Sequence, residues 1–84
     1  MPTDPIDQMV ERLREACRDM GAFITWDGYV SENTAAKLLG RSTGTLRNWR
    51  CYDRPLRFRK LHGRVQYQLA DIAALIISAD DTGD

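Results

Sequence analysis

The 84-residue sequence has one histidine, two cysteines and no long hydrophobic run. Each scarcity removes a class of function. No stretch approaches the roughly twenty apolar residues that a membrane-spanning helix needs. The opening Met1-Pro2-Thr3-Asp4-Pro5 lacks the basic and then apolar pattern of a secretory signal, so a cytoplasmic protein with no membrane partner is expected. Cys17 and Cys51 fall in different expected helices with no CxxC spacing, which points to reduced thiols rather than a disulfide framework or a metal site. His62 sits at an expected loop tip, there is no Gly-Lys-Ser/Thr phosphate loop, and no nucleophile has a base partner in view. Neither an enzyme nor a cofactor is expected.

A chain of this length buries only about two-thirds of its unfolded surface and forms a single core, here expected over residues 5–79. Residues 1–4 read as a flexible start, and Asp80-Asp81-Thr82-Gly83-Asp84 as a polar tail too short to pack.

The formal net charge of zero conceals a segregation. Between Arg41 and Arg64 stand Arg41, Arg47, Arg50, Arg54, Arg57, Arg59, Lys60 and Arg64 against a single acid, Asp53, while the flanks are acidic to the same extent. Pressed onto one face, such a segment would neutralise phosphates and release their counterions. On charge alone, a solvated basic face paired with an acidic N-terminal helix is an equal alternative.

Capping residues and periodicity give the order of elements. Asp4 as N-cap and Pro5 at the first helical position predict a helix over Pro5–Met20, closed by Gly21. Its apolar stripe is Ile6, Met9, Val10, Leu13, Ala16, Cys17 and Met20. The stripe serves either to pack on its own domain or to make a dimer or adaptor contact. Phe23-Ile24-Thr25-Trp26 and Tyr29-Val30 around Asp27-Gly28 suggest a small hairpin. Ser31 caps a helix over Glu32–Leu39 that Gly40 ends, and Ser42 caps another from Thr43 to about Cys51, with Pro55 forbidding extension. Leu56–Leu61 and Arg64–Leu69 then flank His62-Gly63 as a hairpin that sets Phe58, Val65 and Tyr67 on its inner face. A last helix over about Ala70–Ala79 carries Ile72, Leu75 and Ile76.

The expected fold is therefore mainly α with a β-hairpin: a winged helix-turn-helix preceded by an extra amphipathic helix. Ala36 lies where two crossing helices come closest, Gly40 sits where the turn needs positive φ, and Leu46 and Trp49 pin the second helix. With those two turned inward, Gly44, Arg47, Asn48 and Cys51 lie on the outer side, with Ser42 and Thr43 at the leading end. Arg47 suits a guanine edge, Asn48 an adenine edge, and Gly44 a close backbone approach. Ser42 and Thr43 cap the helix and can offer groups to a phosphate. Arg59, Lys60, His62, Gly63 and Arg64 gather at a narrow hairpin tip suited to a minor groove, with Arg41, Arg50 and Arg54 as backbone contacts. A hairpin kept soluble by edge charges is the plainer alternative for that tip.

Residues Tyr29 to Ile76 resemble the winged helix-turn-helix domains of phage excisionases and of MerR-type regulators. The resemblance rests on Ala35-Ala36-Lys37-Leu38-Leu39-Gly40-Arg41-Ser42, Thr45-Leu46-Arg47-Asn48-Trp49, the hairpin Arg59-Lys60-Leu61-His62-Gly63-Arg64-Val65-Gln66-Tyr67, and Asp71-Ile72 opening a final helix. Arg41 departs from the pattern, which usually has an apolar residue there, and the N-terminal helix is not part of it. The resemblance implies double-stranded DNA as partner and a role as recombination accessory factor or small transcription regulator of a phage or mobile element. Homodimers or cooperative oligomers on DNA, and a recombinase or polymerase partner, accompany that reading. A packaging or replication adaptor that uses the N-terminal helix is the alternative.

Overall fold

Asp4 caps the first helix, its carboxylate accepting a hydrogen bond from the Ile6 amide at 2.9 Å, and the computed structural model describes residues 4–53 and 56–81. This helix, α1, spans Pro5–Met20 and ends at Gly21. Leu13 and Cys17 are buried, and Ile6, Met9 and Val10 pack against the core. The element they meet is α4, Leu69–Asp81. The apolar stripe weighed above as a contact for other molecules is thus largely consumed within the chain, and only Met20 at its end stays 42% exposed.

The hairpin expected between Phe23–Trp26 and Tyr29–Val30 does not form. The turn is present: the Gly28 amide donates to the Thr25 carbonyl at 3.0 Å, and the Thr25 amide to the Tyr29 carbonyl at 2.9 Å. The strand that leaves it, β1 (Tyr29–Ser31), pairs antiparallel with β3 (Arg64–Gln68), setting Val30 opposite Tyr67. This pairing buries both side chains to 1% exposure. Phe23 and Trp26, at 79% and 95% exposure, bring no burial that could compete.

Helix α2 spans Glu32–Leu39, with Ser31 accepting from the Thr34 amide. Thr34, Ala35 and Ala36 are buried. At Gly40, φ is 69°, and the Arg41 amide bonds the Ala36 carbonyl at 2.9 Å, so the chain reverses within two residues. Ser42 then caps α3, Thr43–Asn48, accepting from the Thr45 amide at 3.1 Å. The α-helix expected to reach Cys51 stops at Asn48 and gives way to a π-helical turn over Trp49–Asp53. In this wider turn Trp49 packs on the core while Arg50 reaches Glu32 and Tyr67. Arg54 and Pro55 lie outside the described residues.

Strand β2 is Arg59–Leu61, and it completes a three-stranded antiparallel sheet in the order β1-β3-β2. Both strands of the hairpin are shorter than expected, because Leu56 is buried before the strand begins and Leu69 already belongs to α4. Its register is the expected one, Lys60 opposite Val65, and the His62-Gly63 loop has φ of 53° and 76°, the geometry of a two-residue hairpin turn. Tyr67 is buried and Val65 half-buried as expected for the inner face, but Phe58 remains 37% exposed, its ring centroid 6.5 Å from that of Tyr67. Helix α4 extends through Asp81, so the expected tail begins inside it, and residues 82–84 lie outside the described residues. Among the described residues no helix is long and apolar enough to cross a membrane.

The core joins Leu13 and Cys17 of α1 to Ala35, Ala36, Leu46, Leu56, Tyr67, Leu69, Ile72 and Ala73. Burial pushes the Cys17 thiol above its ordinary pKa, with Arg14 acting weakly in the other direction. Cys51 is exposed. A small aromatic disulfide reagent should therefore label Cys51 at once in the native protein, and Cys17 only in step with unfolding by urea. Equal labelling of both without denaturant would contradict this packing.

Candidate nucleic-acid interface

A groove of about 430 Å³ opens where three elements meet. Ser31, Glu32 and Asn33 at the start of α2 form its floor end, Thr43 and Arg47 come from α3, and Gly63, Arg64 and Val65 come from the hairpin. Thr43 and Arg47 stand four residues apart on a helix and so project from one side of it. Four residues singled out from the sequence, Thr43, Arg47, Gly63 and Arg64, are thereby brought together from two separate elements. Asn33, Ser31 and Val65 were not anticipated as neighbours of this site. The cap at Ser31 marks where α2 begins but not that this end lies beside α3.

The outer side of α3 agrees with helical rotation. Gly44, Arg47 and Asn48 are exposed, as is Cys51 on the π turn, while Leu46 has no exposed surface. Ser42 is exposed and occupied as a cap, its hydroxyl 3.0 Å from that of Thr45. A Cβ placed on Gly44 would meet only Ser42 Oγ at 3.7 Å, an ordinary contact. The fold itself therefore does not require glycine at this helical position. Arg41, Lys60, His62 and Arg64 are exposed.

Two of the arginines assigned to DNA contact are engaged inside the molecule. Arg50 forms an ion pair with Glu32 and donates to the Tyr67 hydroxyl at 3.3 Å, and its guanidinium lies 5.7 Å from the Phe58 ring centroid. The Tyr67 hydroxyl in turn donates to Glu32 at 3.0 Å. With side-chain exposures of 17% and 19%, this pair is shielded from water. On the opposite face of the sheet, Arg59 grips both oxygens of Asp27 at 2.7 and 3.3 Å, donates to Gln66 at 2.9 Å, and stacks 3.6 Å from the centroid of Tyr29. Thr25 also donates to Asp27. Arg59, with Thr25, therefore holds the Asp27 carboxyl below its ordinary pKa.

The physical reason is register. Arg50 follows Leu46 by four residues and so faces the core side, where a charge needs a partner. Arg59 lies opposite Gln66, and its side chain crosses β3 to reach Asp27 in the turn before β1. Glu32, the acid lining the groove, is neutralised by Arg50, whereas Arg47 and Arg64 take part in no ion pair among the described residues. The groove is consequently cationic. Among the described residues no group of three His, Cys, Asp or Glu side chains could hold a metal ion.

Compared with known proteins, the chain matches no family model, no curated protein and no solved structure.

Glu32 is the carboxylate that accepts from both Arg50 and the Tyr67 hydroxyl, and Glu32→Ala should lower unfolding stability in urea by about 3 kcal/mol. The Asp27 tie has a defined pH signature. A carboxyl whose folded pKa is depressed stabilises the fold above its unfolded pKa, about 3.9, and that contribution disappears as pH falls through the lower folded value. Asp27→Asn should reduce stability at pH 7 and flatten the acid limb of the stability curve below about pH 4. An unchanged acid limb would separate Asp27 from the tie.

Proposed function

We propose that the chain is a sequence-specific double-stranded DNA-binding protein of the winged helix-turn-helix type. In this reading α2 and α3 are the helix-turn-helix, α3 enters the major groove, and the β2–β3 hairpin is a wing on the minor groove or backbone. Its role is that of an excisionase-like recombination accessory factor or a small transcription regulator, with no catalysis of its own. The observation that carries the reading is the groove in which Arg47 of α3 and Arg64 of the hairpin, both exposed and unpaired among the described residues, face one cleft.

Three further features support it. Gly44 is exposed on the outer side of α3 and open to a Cβ, as expected if a duplex rather than the protein demands the missing side chain. Asn48 is exposed beside it and offers the paired donor and acceptor that read adenine. Arg41 and Lys60 are exposed and free to meet phosphates. Arg50 and Arg59 act in this reading as braces that hold the helix and the wing in position.

Selection of duplexes from a random pool, followed by affinity measurement at several salt concentrations, tests the proposal. Arg47→Ala should weaken binding to the selected site by roughly tenfold or more and relax the preference at one base pair. Arg64→Ala should weaken binding to all sequences and reduce the slope of log affinity against log salt by about one. Gly44→Ala should keep or slightly raise thermal stability while lowering DNA affinity. A pool that yields no motif, a motif unchanged by Arg47→Ala, or affinity indifferent to salt would overturn the assignment.

A further inference from the structure

We infer that the cleft between the last turn of α1 and the loop that follows docks a short acidic peptide segment of a partner protein, one that carries an apolar anchor side chain. The cleft, of about 270 Å³, is lined by Arg14, Arg18, Ala22, Phe23 and Ile24, and shares no residue with the DNA groove. Arg14 and Arg18 are four residues apart on one side of α1, exposed, and in no ion pair among the described residues. Phe23, which shares the cleft with them, is 79% exposed, and Trp26, on the turn that follows, is 95% exposed. A Cβ on Gly28 would come within 3.9 Å of an Arg14 Nη, so the head of Arg14 lies against the very turn that bears Trp26.

Aromatic rings left in water next to arginines are the residues that dominate binding energy at protein interfaces. Charge complementarity selects the occupant. Two guanidiniums four residues apart can each take a carboxylate by charge-assisted hydrogen bonds, while Ala22, Phe23 and Ile24 offer apolar contact to one side chain placed between those carboxylates. A nucleic-acid strand fits less well. Along α1 Asp7, Glu11, Glu15 and Asp19 outnumber Arg12, Arg14 and Arg18, so a phosphate chain running along the helix would meet net repulsion. The lining of the cleft itself carries Arg14 and Arg18 and no acid, so a short segment seated inside it meets those two cations, with Glu15 and Asp19 on the neighbouring face of α1.

The test is selection of a phage-displayed library of random dodecapeptides on the full chain, with enriched peptides then synthesised and titrated by fluorescence anisotropy. Enrichment should favour Asp or Glu flanking Leu, Phe or Trp, and binding should weaken with salt. The double variant Arg14→Glu, Arg18→Glu and the single variant Phe23→Ser should each weaken peptide binding by roughly tenfold or more. Both should keep the parent's circular dichroism and its affinity for the selected duplex. The duplex measurement separates this surface from the DNA reading, since either can fail while the other stands. No enrichment, or peptides that bind all variants equally, overturns the inference. Loss of duplex affinity in the double arginine variant would make the surface a nucleic-acid contact instead. A dimer seen by sedimentation and dissolved by Phe23→Ser would make it a contact between copies.

Discussion

Tyr67 is nearly sealed from water at 1% exposure, and its hydroxyl must find a partner there. It donates to Glu32, and Arg50 completes the triangle by pairing with Glu32 and donating to Tyr67. Burial raises the Tyr67 pKa, with Arg50 opposing the rise, so the hydroxyl stays a donor at neutral pH. These three residues belong to β3, to the first turn of α2 and to the π turn after α3. One polar triangle thus links all the elements that wall the groove. Each corner bonds both of the others, so a change at one weakens the whole network rather than a single contact.

The sheet is braced on both faces by arginine. Arg50 lies on the inner face beside Phe58 and Tyr67, and Arg59 on the outer face over Tyr29 and against Asp27. Spending two cations on architecture leaves Arg41, Arg47, Arg57, Lys60 and Arg64 exposed in the basic segment, Arg54 aside. Neither internal partner comes from the acidic helix α1. The described ion pairs join the basic segment to the β1 turn and to α2.

Caps and tight turns are legible in the sequence because local physics decides them. The caps at Asp4, Ser31 and Ser42, the turn at Gly40 and the His62-Gly63 loop each rest on a few adjacent residues. The β1–β3 pairing depends on residues distant in sequence, Tyr29 and Gln68 for example, 39 apart, and no spacing announces it. Missing that pairing hid the Asp27–Arg59 contact with it. Arg50 is more legible: it stands four residues after Leu46 in the helix expected to reach Cys51, and so on the side that Leu46 buries rather than the outer side of Arg47 and Cys51. The π turn has no such herald, since it arises from what Trp49 and Arg50 each contact.

His62 occupies the hairpin tip with φ of 53°, a left-handed conformation that Asn, Asp and His adopt more readily than other side-chain-bearing residues. Its backbone shape is dictated by the turn, while its imidazole is exposed and bound by no neighbour among the described residues. The tip therefore behaves as an exchangeable head on a fixed mount. An amide, an anion or a protonatable ring can be fitted there without altering strand register, so related chains can diverge in what the tip touches while keeping the frame that carries it.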